Sequence, residues 1–213
     1  MHIPDGFLDI KTTISFWGVS IGFLSYAVKR VKEELDDKSI PLMGVLGAFV
    51  FAAQMLNFPI LNGTSGHFVG GVLLGIILGP FAGFITMSSI LTLQSLIFAD
   101  GGITALGANI FNMGVVGTIF GYFLFKSFLK IFKRNYIISS LISGFLAIVL
   151  GALTCSIQLA ISNTMPISLG LPAMVGFHSL IGIPEGVITS LVLTFIYKTR
   201  KDLIYVKNLG GAK

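Results

Sequence analysis

Long apolar stretches separated by short polar connections make up most of the chain. Seven apolar segments stand out, and they cover Thr12–Val28, Pro41–Phe58, Phe68–Leu78, Phe81–Phe98, Thr104–Phe125, Tyr136–Ser162 and Ala173–Tyr197. A helix needs about 20 apolar residues to cross the hydrocarbon core of a bilayer, and all but the third segment approach that length. The third is short, and Gly79-Pro80 predicts a tight hairpin between it and the fourth, because proline cannot continue the helix before it. The pattern predicts an all-α integral membrane protein with about seven transmembrane helices in a single membrane domain, residues 1–213.

The composition agrees with a membrane protein. Of the 213 residues, 54% are hydrophobic and only 11% are charged, whereas a soluble domain carries about 25% charged residues. Cys155 is the only cysteine, which excludes an internal disulfide and a cysteine-rich metal site. The opening residues Met1–Gly6 lack the cation and the apolar run of a signal peptide, so we expect the mature protein to keep Met1.

The basic residues are distributed unevenly over the connections. If the N-terminus faces outside, thirteen of the fourteen basic residues lie inside, namely Lys29, Arg30, Lys32, Lys38, Lys126, Lys130, Lys133, Arg134, Lys198, Arg200, Lys201, Lys207 and Lys213. Only Lys11 then lies outside. The positive-inside rule therefore predicts an external N-terminus and a cytoplasmic basic tail over residues 198–213. Because the positive charge is a topology signal spread over three short connections, it does not indicate nucleic-acid binding. The connection Lys29–Ser39 carries charges of both signs and is expected to be a solvated helical extension or loop.

Small residues recur at helical spacing inside the predicted spans, which lets helix backbones approach closely. Most of these are expected to pack within the chain, as in Gly71/Gly75/Gly79 and Gly117/Gly121. Gly18, Gly22 and Ser25 lie on the first helix. They pack either within the chain or against a partner subunit, and the spacing does not distinguish the two.

Three polar segments meet at the outer surface in this topology. They are the N-terminus, Asn62–His67 and Asp100–Gly102, and each lies between apolar spans. Polar residues are scarce in this chain, so their convergence at one surface predicts a binding site there.

The most specific feature is the histidine at position 2. The Met1 amine, the His2 backbone amide and His2 Nδ1 can close on one metal ion through five- and six-membered chelate rings. The amide must lose its proton, and tetragonal nitrogen sites of this kind favour Ni(II) or Cu(II). One planar position stays open for a further imidazole. The alternative is an exposed terminal histidine with no ligand.

His67 is the second candidate, on the same side of the bilayer as His2. The small residues before it allow the backbone to wrap closely around a ligand, although a hydrogen-bonded structural role fits the sequence equally well. Asp100 can orient an imidazole or cap a helix. Asn62, Thr64 and Ser65 can hydrogen-bond the N-terminal segment or serve a loop turn.

Several motifs together resemble one family. They are Met1-His2-Ile3-Pro4-Asp5-Gly6-Phe7-Leu8, Asn57-Phe58-Pro59, Thr64-Ser65-Gly66-His67 with Gly70-Gly71, Gln94 with Asp100-Gly101-Gly102, and Asn109 with Asn112-Met113-Gly114. Over essentially the whole chain, this pattern is similar to the CbiM/NikM proteins, the substrate-specific membrane components of energy-coupling-factor transporters for cobalt or nickel.

The resemblance implies a non-enzymatic uptake component in a prokaryotic plasma membrane. It implies that residues 1–11 form a metal-chelating segment that tucks into the protein, with Met1 and His2 supplying the planar chelate and His67 the fourth nitrogen. Ni²⁺ or Co²⁺ would be the transported ligand, with no catalytic cofactor. The partners would be ATP-binding-cassette ATPases, a coupling transmembrane subunit and, as a further partner, a small accessory membrane protein.

Two polar residues fall inside the last span. Glu185 and His178 are seven residues apart and share a helix face. An intramembrane carboxylate is costly unless it is paired, so the two residues either belong to a polar network that locks helix packing or act directly in the metal path.

Two other functions compete with metal uptake. An intramembrane metallohydrolase is disfavoured because the chain has no H-E-x-x-H motif, and a complete four-nitrogen plane leaves no easy site for an activated water. A vitamin-type substrate component would not require the Met-His terminus. The chain also has no Gly-Lys pair and hence no nucleotide-binding G-x-x-x-x-G-K-[ST] loop, so ATP hydrolysis would fall to separate subunits. Four nitrogen donors in a plane favour nickel over cobalt.

Overall fold

A computed structural model describes residues 1–34, 39–60 and 64–206. Within these ranges the chain forms seven helices: α1 Ile10–Glu34, α2 Ser39–Gln54, α3 Gly71–Leu78, α4 Pro80–Ile97, α5 Leu106–Ile131, α6 Tyr136–Ile161 and α7 Ile167–Thr199. Strands β1 Asn57–Ile60 and β2 Thr64–His67 form a small antiparallel hairpin, and a 3-10 turn covers Lys201–Leu203. The predicted all-helical architecture is confirmed.

Four of the described helices are long and apolar enough to cross a membrane, namely α4, α5, α6 and α7. Helix α2 is a shorter apolar helix of 16 residues. Helix α7 shows the division of faces that a bilayer requires. Its outward face exposes large apolar side chains such as Leu180, Leu191 and Phe195, and its buried face carries His178 and Glu185. Apolar exposure of this kind fits contact with lipid rather than water.

The predicted end of the second span is wrong. Helix α2 stops at Gln54, four residues before the predicted end at Phe58, and Asn57–Ile60 instead pairs with β2. The hairpin places Asn57 opposite His67. A short apolar run gives no periodicity by which a helix can be told from a strand, and Pro59 cannot continue a helix. The hairpin carries His67 to the core of the protein.

The predicted break between the third and fourth segments is confirmed. Gly79 has φ 85° and ψ 164°, so α3 ends at Leu78 and α4 begins at Pro80. Helices α1 and α5 continue past the predicted segments through charged and polar residues, to Glu34 and Ile131. Helix α7 begins at Ile167, six residues before the predicted start, and continues through Pro172. The solvated extension expected after Lys29 is helical through Glu34.

The glycine pairs differ in how closely the chain packs against them. A Cβ at Gly71 would lie 2.6 Å from the backbone of Gly117, and one at Gly121 would lie 2.7 Å from Val72, so these glycines permit close packing within the chain. A Cβ at Gly18 or Gly22 would meet no described atom within 4 Å. Both glycines and Ser25 are exposed on α1.

Helix α5 contains an unusual π-helical stretch over Ile110–Phe120. Wide turns of this kind re-aim side chains within a helix. Here the stretch carries Asn112, whose side chain exchanges hydrogen bonds of 2.7 and 2.9 Å with Gln158 on α6. This amide pair joins the two helices deep in the protein.

The two ends of the bundle differ in chemistry. The N-terminal residues contact the α4–α5 loop at Gly102 and Thr104 and the α6–α7 loop at Thr164. At the opposite end, the Tyr205 amide donates to the Ile77 carbonyl, close to the basic residues that follow α7. The structure thus brings the N-terminal segment together with His67 and the loop at Gly102, as the sequence predicted. The external location of the N-terminal end remains a prediction from the distribution of charge, and residues 207–213 of the basic tail lie outside the described residues.

Candidate functional site

The first three residues are buried in the middle of the protein. Met1 is 1% exposed, His2 is 4% exposed and Ile3 is inaccessible. Helix α1 begins at Ile10, so the preceding nine residues form an extended segment that enters the bundle. This placement rules out the alternative of an exposed terminal histidine.

Three hydrogen bonds hold the N-terminal segment at Ile3. The Ile3 amide donates to Asn109 Oδ1 at 2.8 Å, and Asn109 Nδ2 donates back to the Ile3 carbonyl at 3.1 Å. The Gly102 amide donates to the same carbonyl at 2.9 Å. The peptide groups on both sides of Ile3 are therefore satisfied by side chain and loop, as burial requires.

Further contacts fix the outer part of the segment. Asp5 Oδ1 accepts from the Thr104 amide at 2.7 Å and from the Thr104 hydroxyl at 2.6 Å, and these hydrogen bonds lower the pKa of the Asp5 carboxyl. The Thr164 hydroxyl donates to the Phe7 carbonyl. A Cβ at position 102 would lie 2.2 Å from the Asp5 nitrogen, so only glycine lets the segment pass this closely.

The Met1 side chain fills a space that Gly151 leaves open. A Cβ at Gly151 would lie 2.9 Å from Met1 Sδ and 3.2 Å from Met1 Cε. Burial lowers the pKa of the Met1 amine from 8.0 to about 6, against the opposing influence of Cys155 and Asp100. At neutral pH the amine is therefore mostly uncharged.

The structure brings His2 and His67 together. Their rings are stacked, with centroids 4.6 Å apart and planes 22° from parallel. His67 is 1% exposed. Burial lowers the pKa of His2 to about 3 and that of His67 well below its usual value, and the nearby terminal amine lowers both further. Two neutral imidazoles therefore face each other beside the terminal amine.

In each ring one nitrogen is hydrogen-bonded, and the other is a bare nitrogen that carries no proton and has no hydrogen-bond partner among the described residues. His67 Nδ1 lies 2.6 Å from the Phe68 carbonyl, which can only accept, so Nδ1 carries the proton and Nε2 does not. His2 Nε2 lies 3.1 Å from Gln94 Oε1, which likewise makes Nε2 the protonated nitrogen. Neither His2 Nδ1 nor His67 Nε2 has a hydrogen-bond partner among the described residues.

Asp100, for which the sequence left open an imidazole-orienting role and a helix cap, lies beside His2. Its Oδ1 is 3.3 Å from His2 Nδ1 without a hydrogen bond between them, and Gln94 rather than Asp100 engages the other ring nitrogen. Of the other three residues predicted to support the site, Asn62 lies outside the described residues. For Thr64 and Ser65 only the backbone is described, in strand β2.

His178 and Glu185 share the buried face of α7 but have different partners. His178 Nδ1 bonds the Met174 carbonyl at 2.8 Å, and His178 Nε2 has no partner within the described ranges. Glu185 accepts from the amides of Val69 and Gly70 at 2.7 and 2.8 Å. The carboxylate thus holds the backbone that directly follows His67. This agrees with a polar network that fixes helix packing.

Three residues that support the site were not predicted. Gln94 and Gln54 are wholly buried, and Asn109 is 1% exposed. Their signal in the sequence is a carboxamide inside or at the edge of an apolar span, where each polar group needs a partner. That signal marks a residue as engaged, but it does not reveal the partner.

Side chains alone do not form a metal site here. Within the described residues, no group of three or more His, Cys, Asp or Glu side chains could hold an ion. A site built around His2 and His67 can complete its ligand set with main-chain nitrogen atoms. The nearest are the Met1 amine and the His2 amide.

Comparison with known proteins places the chain in a family. Residues 2–203 match the family model CbiM, described as the cobalt uptake substrate-specific transmembrane region. A putative fused nickel transport protein of Archaeoglobus fulgidus is 44% identical over 213 residues, 99% of this chain and 70% of that protein. A putative metal transport protein of Haloquadratum walsbyi is 43% identical, over 97% of this chain and 94% of that protein.

Solved structures support the same assignment. A crystal structure of a transition metal transporter superposes with a TM-score of 0.88 at 37% identity, covering 93% of both chains. A truncated transition metal transporter gives the same TM-score at 36% identity, covering 93% of this chain and 99% of that one. The chain belongs to the CbiM family, the multi-pass, substrate-specific membrane components of cobalt and nickel uptake transporters, which are transport components rather than enzymes.

Proposed function

We propose that the chain captures Ni²⁺ or Co²⁺ outside the cell as the cargo of an ATP-driven uptake transporter. Four nitrogen atoms would bind the ion: the Met1 amine, the deprotonated His2 amide, His2 Nδ1 and His67 Nε2. The first three belong to one dipeptide and close five- and six-membered chelate rings. The fourth comes from the β-hairpin.

One observation carries the proposal. The bare nitrogen of each imidazole is the one that the chelate requires, Nδ1 in His2 and Nε2 in His67. A buried lone pair without a hydrogen-bond donor is unfavourable by about 1–3 kcal/mol. A cation that accepts both lone pairs would remove that penalty.

The spacing of the two rings supports a shared ion. Two imidazoles that bind one metal at adjacent positions, with metal–nitrogen distances of about 2.0 Å, have ring centroids about 4.5 Å apart. The observed separation is 4.6 Å. The rings would need a change in tilt rather than a large displacement.

Nickel is the preferred cargo on chemical grounds. Four strong nitrogen donors in a plane suit Ni(II), whereas Co(II) is less committed to that geometry. Copper(II) would bind at least as tightly, so selection against copper would depend on its availability or on the transport cycle. The relatives' names include both a nickel transport protein and a cobalt transport protein, so the preference for nickel rests on the ligand set.

ATP hydrolysis would be performed by partner subunits. We infer ATP-binding-cassette ATPases and a coupling transmembrane subunit, with a small accessory membrane protein as a further component. The absence of a Gly-Lys pair from the sequence supports this division of labour, because a phosphate-binding loop of the G-x-x-x-x-G-K-[ST] type needs one.

Extending the chain by one glycine before Met1 tests the proposal. The extension converts the Met1 amine into an amide and moves the histidine to position 3, in a pocket that already encloses Met1. The extended protein and the unextended protein would be released from the same cleavable fusion in detergent, and mass spectrometry would confirm each terminus. Equilibrium titration with Ni²⁺ and Co²⁺ should show that high-affinity binding is lost on extension.

Two substitutions complete the series. His2→Ala should weaken binding about as much as the extension, because it removes a chelate ring. His67→Ala should be milder, because water can take the fourth position while the three-nitrogen chelate stays intact. A folded, extended protein with wild-type affinity would refute the N-terminal chelate. If binding by the extended protein no longer depended on His67, a rearranged four-nitrogen chelate through the new amine would explain it.

A further inference from the structure

A chain of three hydrogen bonds, which we call the relay, runs from His2 to the backbone beside the β-hairpin. His2 Nε2 bonds Gln94 Oε1 at 3.1 Å, Gln94 Nε2 donates to Gln54 Oε1 at 2.9 Å, and Gln54 Nε2 donates to the Val69 carbonyl at 2.7 Å. All four residues are buried. No water is needed to complete the chain.

The direction of this chain is fixed at its far end. The Val69 carbonyl can only accept, so Gln54 must present its NH₂ group to it and its oxygen to Gln94. Gln94 must then present its NH₂ group to Gln54 and its oxygen to His2. The last acceptor in the series requires a proton on His2 Nε2.

We propose that Gln54 and Gln94 are positioning residues that hold His2 as the Nε2–H tautomer, so that Nδ1 is bare before the ion arrives. The role of the bare nitrogen rests on the proposed function, but the tautomer itself does not. Gln54 and Gln94 would act on the ion only through His2.

A carboxylate on the other side of the His2 ring favours the opposite tautomer. Asp100 Oδ1 lies 3.3 Å from His2 Nδ1 and would accept a proton placed there. Without the two glutamines, the tautomer that faces Asp100 would be favoured, and its Nδ1–H would block the chelate. The relay therefore determines whether His2 Nδ1 is free to bind a metal ion or carries a proton.

Val69, whose carbonyl accepts the last hydrogen bond of the relay, also lies close to His67 in the chain. The Val69 carbonyl ends the relay, while the Val69 amide donates to Glu185, and His67 is two residues earlier. The His67 tautomer is set separately by the Phe68 carbonyl. Both imidazoles are thus oriented from one short stretch of chain before any ion binds.

The tautomer can be read directly. The sequence has three histidines, so ¹⁵N-histidine labelling gives three assignable rings, and ring-nitrogen chemical shifts separate bare from protonated nitrogens. The ion-free wild type should show His2 with Nδ1 bare and Nε2 protonated. Gln94→Leu should move the His2 proton to Nδ1, and Gln54→Leu should give a mixture, because Gln94 is then free to turn.

Nickel titration of the same samples supplies the second readout. Gln94→Leu should weaken Ni²⁺ binding by about tenfold or more, the effect of losing one favourable hydrogen-bonded state. Gln158→Leu is the matched control, since it removes a buried carboxamide that bonds Asn112 outside the relay. It should leave the His2 spectrum unchanged. Gln94→Glu keeps an acceptor for the Nε2 proton of His2 and should retain the wild-type tautomer. This variant still tests the relay if Gln94→Leu fails to fold.

The outcomes separate the two claims. A wild-type His2 protonated on Nδ1, or a His2 spectrum that Gln94→Leu leaves unchanged, would overturn the relay. A tautomer that shifts as expected while Ni²⁺ affinity stays at the wild-type value would support the relay and overturn the His2 chelate.

Discussion

Replacing Gly102 by alanine tests whether the N-terminal segment must lie in its observed place for an ion to bind. The added Cβ would lie 2.2 Å from the Asp5 nitrogen, 2.5 Å from Asp5 Oδ1 and 2.6 Å from the Pro4 carbonyl carbon. Two of these atoms are backbone, so no side-chain rotation relieves the overlap. The segment must shift outward by about 1 Å to reach ordinary contact distances.

The size of the effect follows from what that shift breaks. The Gly102 amide would lose its hydrogen bond to the Ile3 carbonyl, and the Asp5 contacts with Thr104 would lengthen. Forcing extra volume into a packed site costs about 1–3 kcal/mol. Donor atoms must lie within about 0.2 Å of their metal-binding distances, so most of that cost falls on binding. An affinity lower by about 10- to 100-fold corresponds to about 1.4–2.8 kcal/mol.

The assay is a Ni²⁺ titration against a competing chelator on detergent-purified protein. Gly176→Ala is the matched control, because a Cβ at Gly176 would meet no described atom within 4 Å and the residue lies on helix α7, away from the N-terminal segment. Both variants should elute as folded protein by size-exclusion chromatography. Wild-type affinity in a folded Gly102→Ala protein would refute the reasoning, since the segment could then bind an ion from a different position.

Three further predictions follow. The apparent Ni²⁺ affinity should rise about tenfold per pH unit above pH 7 and about a hundredfold per unit below pH 6. Because the pKa of the Met1 amine is about 6, metal binding at neutral pH displaces mainly the proton of the His2 amide. A hundredfold change in affinity per pH unit through pH 7 would instead indicate an amine with the ordinary pKa of 8.0. Glu185→Gln should lower thermal stability more than Ni²⁺ affinity, because one of the two amides of Val69 and Gly70 loses its acceptor; a variant that purifies normally but no longer binds metal would contradict this. Cysteines introduced into the Lys29–Ser39 connection of intact cells should resist impermeant reagents, whereas those in residues 163–170 should react, and labelling of the first connection from outside would reverse the topology.

The parts of the fold that could be predicted are those that lipid and charge dictate. Spans with uninterrupted apolar runs, such as Tyr136–Ile161, were predicted to within a residue, because a bilayer permits few alternatives to a helix. The hairpin in place of the end of α2 was not predicted. The short apolar run that forms its first strand has no periodicity that distinguishes a strand from a helix.

The candidate site divides in the same way. Met1 and His2 were predicted because a terminal Met-His dipeptide has specific metal chemistry that does not depend on tertiary structure. His67 was proposed from its place on the same side of the bilayer and from the family resemblance. Their supporting contacts depend on which helices meet. Glu185 was predicted to be paired, but its partners are two backbone amides, which no sequence pattern marks. For Asp100 the sequence allowed either an imidazole-orienting role or a helix cap, and in the structure it is Gln94 that engages His2 Nε2.

The burial of the N-terminal segment has a kinetic consequence. The residues that would hold the ion are the same residues that fill the interior, with Met1 and His2 each less than 5% exposed. An ion in that position cannot exchange by successive replacement of single ligands from solvent, since every incoming ligand must wait until the segment withdraws. Residence time would then be set by a protein motion, common to all cargo ions, rather than by the lability of each metal. Discrimination among metals would occur while the segment is closing, and an ion once enclosed would be insensitive to competitors for the rest of that cycle.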